Sequence, residues 1–193
     1  GDPKPVGNAE WQAAAKDRAS LYAPGLFGQS LRSGMHQLTY TCPKPVLGTT
    51  GAAALWLKAE TLHHRGTYCW PAILDPLDGR YRVMFGRIGH PANREVLYAH
   101  LSQANVGVSA TQQSMADWKP GQWHLLVVNW DRNGVEFSVD GARPTRTSLK
   151  PPLESNAASG LRVGLLGQNE DRFLYDEFLV LDVPLVPGEI EWL

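Results

Sequence analysis

The sequence predicts an all-β fold, an antiparallel two-sheet sandwich of jelly-roll type with one short helix near the N-terminus. Three observations predict it. The 193 residues contain many short apolar runs, several with the period-two alternation of strands, and Gly (19) and Pro (14) punctuate them. One long phrase, Trp118 to Ala142, spells two strands and the turn between them. The length suits one domain with a core large enough to need no covalent staples.

Taken in order, Asn8 through Leu21 is the one stretch with helical spacing, carried by Trp11, Ala14, Ala15, Arg18 and Ala19, and Pro24-Gly25 ends it. Residues 1–24 are therefore expected to form an N-terminal arm with a short helix, and residues 25–193 the sandwich. About eleven strands follow: Gln29–Arg32, Gln37–Tyr40, Ala53–Ala59, Ala72–Asp75, Tyr81–Ile88, Val96–Ser102, Val106–Ser109, Trp123–Asp131, Val135–Asp140, Leu161–Leu165 and Phe173–Leu181. Two long excursions, 61–68 and 144–160, are expected to line a rim above the sheet where ligands bind.

Within Trp118–Ala142, one face of an extended strand carries Trp123, Leu125, Val127 and Asn129. The other carries His124, Leu126, Val128 and Trp130. Apolar character on both faces places this strand centrally, and the next, Val135 to Asp140, is expected to keep one wet face. Asn133-Gly134 suggests a positive-φ hairpin turn, and Asp140-Gly141 a second turn.

The same phrase resembles the laminin-G-like branch of the concanavalin A-like lectin/glucanase superfamily, where Trp, then Trp-His with an apolar run, then a strand ending Val-Asp-Gly recur. Leu26-Phe27-Gly28-Gln29-Ser30-Leu31 followed by Ala53–Lys58 resembles its opening strands. Leu161–Gly164, Tyr175–Val180 and Pro187–Ile190 resemble its closing phrase. The resemblance spans roughly residues 25 to 191 and implies a concanavalin A-like jelly roll. Members bind glycans or proteins, so the fold alone does not choose a ligand.

Composition narrows the function. Lys plus Arg (18) nearly balances Asp plus Glu (19), so no basic field favours nucleic acid or an anionic membrane. No apolar run approaches the ~20 residues of a membrane helix. Gly1-Asp2-Pro3-Lys4-Pro5 reads as an excised start, consistent with a signal peptide removed ahead of it, and the chain is expected to be secreted or envelope-associated. Cys42 and Cys69 are either two buried thiols or one bridge.

Hydrolysis is disfavoured. Glucanases of this fold use Glu-x-Asp-x-(x)-Glu on one strand face, and that phrase is missing from the sequence. Glu170-Asp171 and Asp176-Glu177 are adjacent acids that point to opposite strand faces, and His63-His64 reads as a solvated pair. An unorthodox hydrolase would need two carboxylates, such as Asp75 and Glu95, to converge. The expected function is non-catalytic binding of a polysaccharide or glycoconjugate, the alternative a protein-binding module within a larger multidomain surface protein. Arg87, Tyr98 and His100 on two neighbouring strands, with Tyr68 and Trp70 at a strand entrance, are the candidate ligand-binding residues.

Asp176 sits among Leu174, Phe178 and Val180 in a strand, and a carboxylate there must be bonded. The family resemblance implies a structural calcium held by the matching Asp. The other reading is that Asp176 pairs with an Arg or accepts backbone N–H bonds.

Overall fold

The computed structural model describes residues 8–12, 22–32, 37–46, 48–62, 68–76, 81–89, 95–103, 106–153, 158–163, 173–191 and 193, and among these residues it has fourteen strands and one helical turn. In chain order the strands are β1 (Asn8–Gln12), β2 (Tyr22–Pro24), β3 (Gln29–Arg32), β4 (Gln37–Val46), β5 (Gly51–Ala59), β6 (Tyr68–Pro76) and β7 (Tyr81–Gly89). Then come β8 (Glu95–Gln103), β9 (Val106–Ser114), β10 (Trp123–Asp131), β11 (Gly134–Val139), β12 (Thr145–Ser148), β13 (Ala158–Val163) and β14 (Phe173–Leu181), with α1 (Pro187–Ile190) last. They form two seven-stranded sheets, ordered β1-β4-β13-β6-β7-β8-β9 and β12-β11-β10-β5-β14-β3-β2. Each strand pairing is antiparallel.

The alternation read in the sequence explains the core. Leu55 and Leu57 of β5, Leu126, Val128 and Trp130 of β10, and Val135, Phe137 and Val139 of β11 face one way. They form one buried cluster with Leu97, Ala99 and Leu101 of β8 in the other sheet. Trp130 is 1 % exposed and donates its indole N–H to the Gly48 carbonyl at 3.0 Å, which satisfies its one polar atom. The expected central position of β10 holds: it lies between β11 and β5. Its second apolar face is covered as well, because Leu125 and Val127 pack with Ala52, Ala54 and Leu185.

Several expectations need correction. Asn8–Gln12 is a strand, not the start of a helix, and pairs along the edge of β4 from Asn8↔Thr41 to Gln12↔Gln37. A lone amphipathic helix this short is marginal in water, whereas an open sheet edge satisfies the backbone at once. The remainder of the expected helix, 13–21, lies outside the described residues. The one helix among the described residues is α1, a single turn opened by Pro187 and capped by the Glu189 carboxylate on the Val186 N–H at 2.9 Å.

The 144–160 stretch contains β12, which extends the second sheet by pairing with β11. Leu149 and Leu153 are buried, and their N–H groups donate to the Asn133 and Arg132 carbonyls at 2.7 and 2.8 Å. Apolar anchors four residues apart thus tie this part of the expected rim loop to the core. β11 is also drier than expected, with Ser138 4 % exposed.

Turn chemistry moved by one hairpin. In the β10–β11 turn the Asp131 side chain accepts the Asn133 N–H at 2.7 Å, Arg132-Asn133 are the central pair, and neither Asn133 nor Gly134 takes positive φ. The positive-φ pair is Asp140 (φ 50°) and Gly141 (φ 70°), closed by the Ala142 N–H on the Val139 carbonyl at 2.9 Å.

Candidate ligand groove

The outer face of the second sheet, away from the first sheet, carries the concave surface of interest. Cross-strand partners there are Trp123↔Lys58, Leu125↔Trp56 and Val127↔Ala54 between β10 and β5, then Val127↔Ser138 and Asn129↔Glu136 between β10 and β11. Because paired residues share a face, Trp56, Leu125 and Val127 make an apolar floor flanked by Glu136 and Ser138 of β11 and by Asp140 in the turn after it. The C-terminal segment crosses this floor. Asn129 pins it with two bonds, donating to the Leu185 carbonyl at 2.8 Å and accepting the Leu185 N–H at 2.9 Å. The Trp56 indole N–H holds its far end through the Leu193 carbonyl at 3.2 Å. Between sheet and segment lies a groove of about 450 Å³, within the size range of small-molecule sites.

Asp140 builds the groove's corner. Its Oδ1 accepts the Leu125 N–H at 2.8 Å and its Oδ2 accepts from His124 Nδ1 at 2.7 Å, while Trp118 stacks on His124 with ring centroids 3.7 Å apart. A carboxylate accepts, so the contact with Asp140 needs the proton on Nδ1, and among the described residues the buried Nε2 has no partner. Beyond Glu136, Arg146 bonds Asp131 at 2.6 Å and Glu136 at 3.0 Å. Burial acts to raise the Asp131 pKa, but the Arg146 hydrogen bond, the Asn133 N–H and the guanidinium charge outweigh it and hold the carboxyl below its ordinary value. At the other end Lys58 Nζ lies 4.6 Å from the centre of the Trp123 ring, a cation–π pair.

The residues singled out from sequence lie elsewhere. Tyr98 and His100 are on β8, on the face away from Leu97, Ala99 and Leu101. Tyr98 is 6 % exposed and leaves little ring surface for a sugar, and His100 is half-buried. Register does not bring Arg87 to them: Arg87 pairs opposite Leu97, whereas Tyr98 is opposite Gly86 and His100 opposite Met84. Tyr68 and Trp70 are both in β6, two strands from β8, beside an irregularity in the β6–β7 pairing. His63 and His64 lie outside the described residues.

Asp176 is 8 % exposed. Its Oδ2 accepts the N–H groups of Leu26 at 2.7 Å and Phe27 at 3.2 Å, and its Oδ1 accepts the Glu177 N–H at 3.0 Å. Three N–H donors converge on this carboxylate, whereas a hard cation requires converging oxygens, so the surroundings do not fit a calcium. Among the described residues no group of three or more His, Cys, Asp or Glu could hold a metal. Its expected neighbours also change. A register shift between Asp176 and Leu179, with Glu177 at φ 45°, flips the strand's parity, so Phe178 and Val180 pack on the core while Asp176 is paired with Trp56 on the outer face.

Topology settles two further alternatives. Val163 pairs with both Leu38 and Leu74, so β4 and β6 run parallel on either side of β13. Cys42 lies past Leu38 and Cys69 before Leu74, about 30 Å apart along the strands at ~3.3 Å per residue, far beyond a disulfide's span. Similarly Asp75 follows Leu74, which pairs with Val83, while Glu95 pairs with Gly89 at the opposite end of β7. That separation of about 20 Å exceeds the ~10 Å limit for paired glycosidase carboxylates.

Trp56, which sequence motifs did not single out as a ligand contact, is half-buried on the outer face and floors the groove. A signal existed: β10 is apolar on both faces, so something must cover the outer one, and Leu185 and Ile190 are the apolar residues that do so.

No protein-family model matches the chain, and no curated protein sequence does. Solved structures are similar in fold. Domain 4 of AbnA, a GH43 extracellular arabinanase from Geobacillus stearothermophilus in complex with arabinotriose, gives a TM-score of 0.61 at 18 % identity, covering 88 % of this chain and 78 % of that one. The botulinum neurotoxin serotype D ligand binding domain in complex with N-acetylneuraminic acid gives 0.71 at 9 % identity, covering 97 % of this chain and 46 % of that one. The binding domain of botulinum neurotoxin DC in complex with rat synaptotagmin II gives 0.69 at 11 % identity, covering 96 % and 45 %. The chain thus spans less than half the length of the neurotoxin domains. All three are described as binding partners or ligands, and at these identities the likeness shows a shared, mostly β fold.

Proposed function

We propose that this chain is a non-catalytic carbohydrate-binding module, a laminin-G-like jelly-roll sandwich belonging to a secreted or surface-associated protein, and that the groove over Trp56 is its ligand site. The observation that carries the reading is the groove itself, an apolar floor with one half-buried indole beside a row of hydroxyl and carboxylate groups on β11. Sugars present an apolar C–H face and a hydroxyl rim, and this pairing of surfaces suits both. The arabinotriose and N-acetylneuraminic acid bound by two structural neighbours support the class. The test is a glycan array with polysaccharide pull-downs on folded protein. Trp56→Ala should abolish binding while His100→Ala leaves it intact; loss with His100→Ala alone would move the site to β8. Detection of the parent protein only in the cytoplasm would refute the secreted or surface assignment.

A second reading, a protein-binding module, draws on the exposed apolar residues Phe27 (65 %), Val183 (58 %) and Val186 (57 %) and on the synaptotagmin-bound neighbour. It would replace the first if the folded chain ignored every saccharide yet bound a protein through Phe27 or Val186.

A further inference from the structure

We infer that the groove selects saccharides that are uncharged or carry amino groups, and rejects uronates and sialates; this rests on the groove being a glycan site. Among the described residues its ionisable lining ones are Glu136, Asp140 and Glu191, all carboxylates, and no described Lys, Arg or His lines it. Side-chain donors are few. The Trp56 indole commits its one N–H to Leu193 and the Asn129 amide one of its two to Leu185, which leaves the second Asn129 N–H and the Ser138 hydroxyl as donors beside three carboxylates among the described lining residues.

The groups that remain to read a ligand are therefore mostly acceptors. A sugar hydroxyl or ammonium can donate to them, whereas a ligand carboxylate would set acceptor against acceptor and like charge against like charge. Salt at physiological strength screens such repulsion only beyond about 8 Å, so contacts made inside the groove keep it. The cations nearby do not reverse the sign. Arg146 is held by Asp131 and Glu136, Lys58 lies over Trp123, His124 bonds Asp140 from behind, and Arg143 stands between the lining residues Ala142 and Pro144 without lining the groove itself.

The test is calorimetric titration of the folded chain with a panel of neutral, amino and uronic trisaccharides (arabinotriose, cellotriose, a chitosan trimer, trigalacturonate) and with sialyllactose, near physiological salt. The best neutral or amino ligand should bind at least about tenfold more tightly than either acidic one, a difference of ~1.4 kcal/mol. Glu191→Lys should weaken the chitosan trimer and strengthen trigalacturonate. An acidic saccharide that binds as tightly as the neutral ones, and is lost in Trp56→Ala, would overturn the charge selection while leaving the glycan site standing. Binding of no saccharide in the panel or on the array by folded protein would overturn both.

Discussion

The Asp176 carboxylate accepts the backbone N–H of Leu26 at 2.7 Å across 150 residues of sequence, and so joins the β2–β3 turn to the strand beside Trp56. Gly25 makes the approach feasible, since a Cβ there would collide with Asp176 Oδ2 and sit 2.9 Å from the Ser30 nitrogen. Asp176→Ala should cost about 2 kcal/mol, the worth of buried bonds to a charged acceptor. Gly25→Ala should cost a similar ~1–3 kcal/mol by overpacking. Combined, they should be clearly less than additive, because removing the carboxylate relieves the closest clash. Urea unfolding of the four proteins checks this, and strict additivity would refute the coupling.

Chelation should leave the melting temperature unchanged, because N–H groups already occupy the Asp176 oxygens. A fall on adding EDTA that calcium reverses would show a cation after all.

Asn129→Ala removes both bonds to Leu185 and should lower stability by roughly 2 kcal/mol at ~1 kcal/mol per bond. The same change frees one groove wall, so saccharide affinity should fall with it. Asn129→Asp should not rescue either property, because a carboxylate would face the Leu185 carbonyl. Hydrogen exchange of the Leu185 amide reports the release directly.

At Asp140 two demands coincide, a positive φ and an acceptor for Leu125 and His124. Asp140→Asn, which tolerates φ of that sign and keeps one acceptor, should cost least. Asp140→Ala should cost more, roughly 1–3 kcal/mol, because it loses the acceptor and strains the turn. Equal losses would mean that neither the backbone conformation nor the retained acceptor contributes.

Acid should loosen the β11–β12 edge through Asp131. Its pKa is lowered in the folded state from 3.8, so its share of stability is present above that value and is lost as pH falls below it through the folded pKa. Asp131 and Arg146 are over a third exposed, so the share is small and screened by salt. Comparing wild type with Asp131→Asn, the stability difference should shrink below about pH 4; a constant difference would remove the Asp131–Arg146 pair as its source.

The sequence by itself determined what depends on local pattern. Alternation along β10 and β11 identified both strands and which β10 residues share a face, because strand periodicity is a property of neighbouring residues. Tertiary structure alone decided what depends on pairing. An open edge made Asn8–Gln12 a strand, register separated Arg87 from Tyr98, and one bulge at Glu177 reversed which residues keep Asp176 company. The groove belongs to this second kind. It exists because Asn129 binds a carbonyl and an N–H 56 residues away, a meeting that no local period encodes.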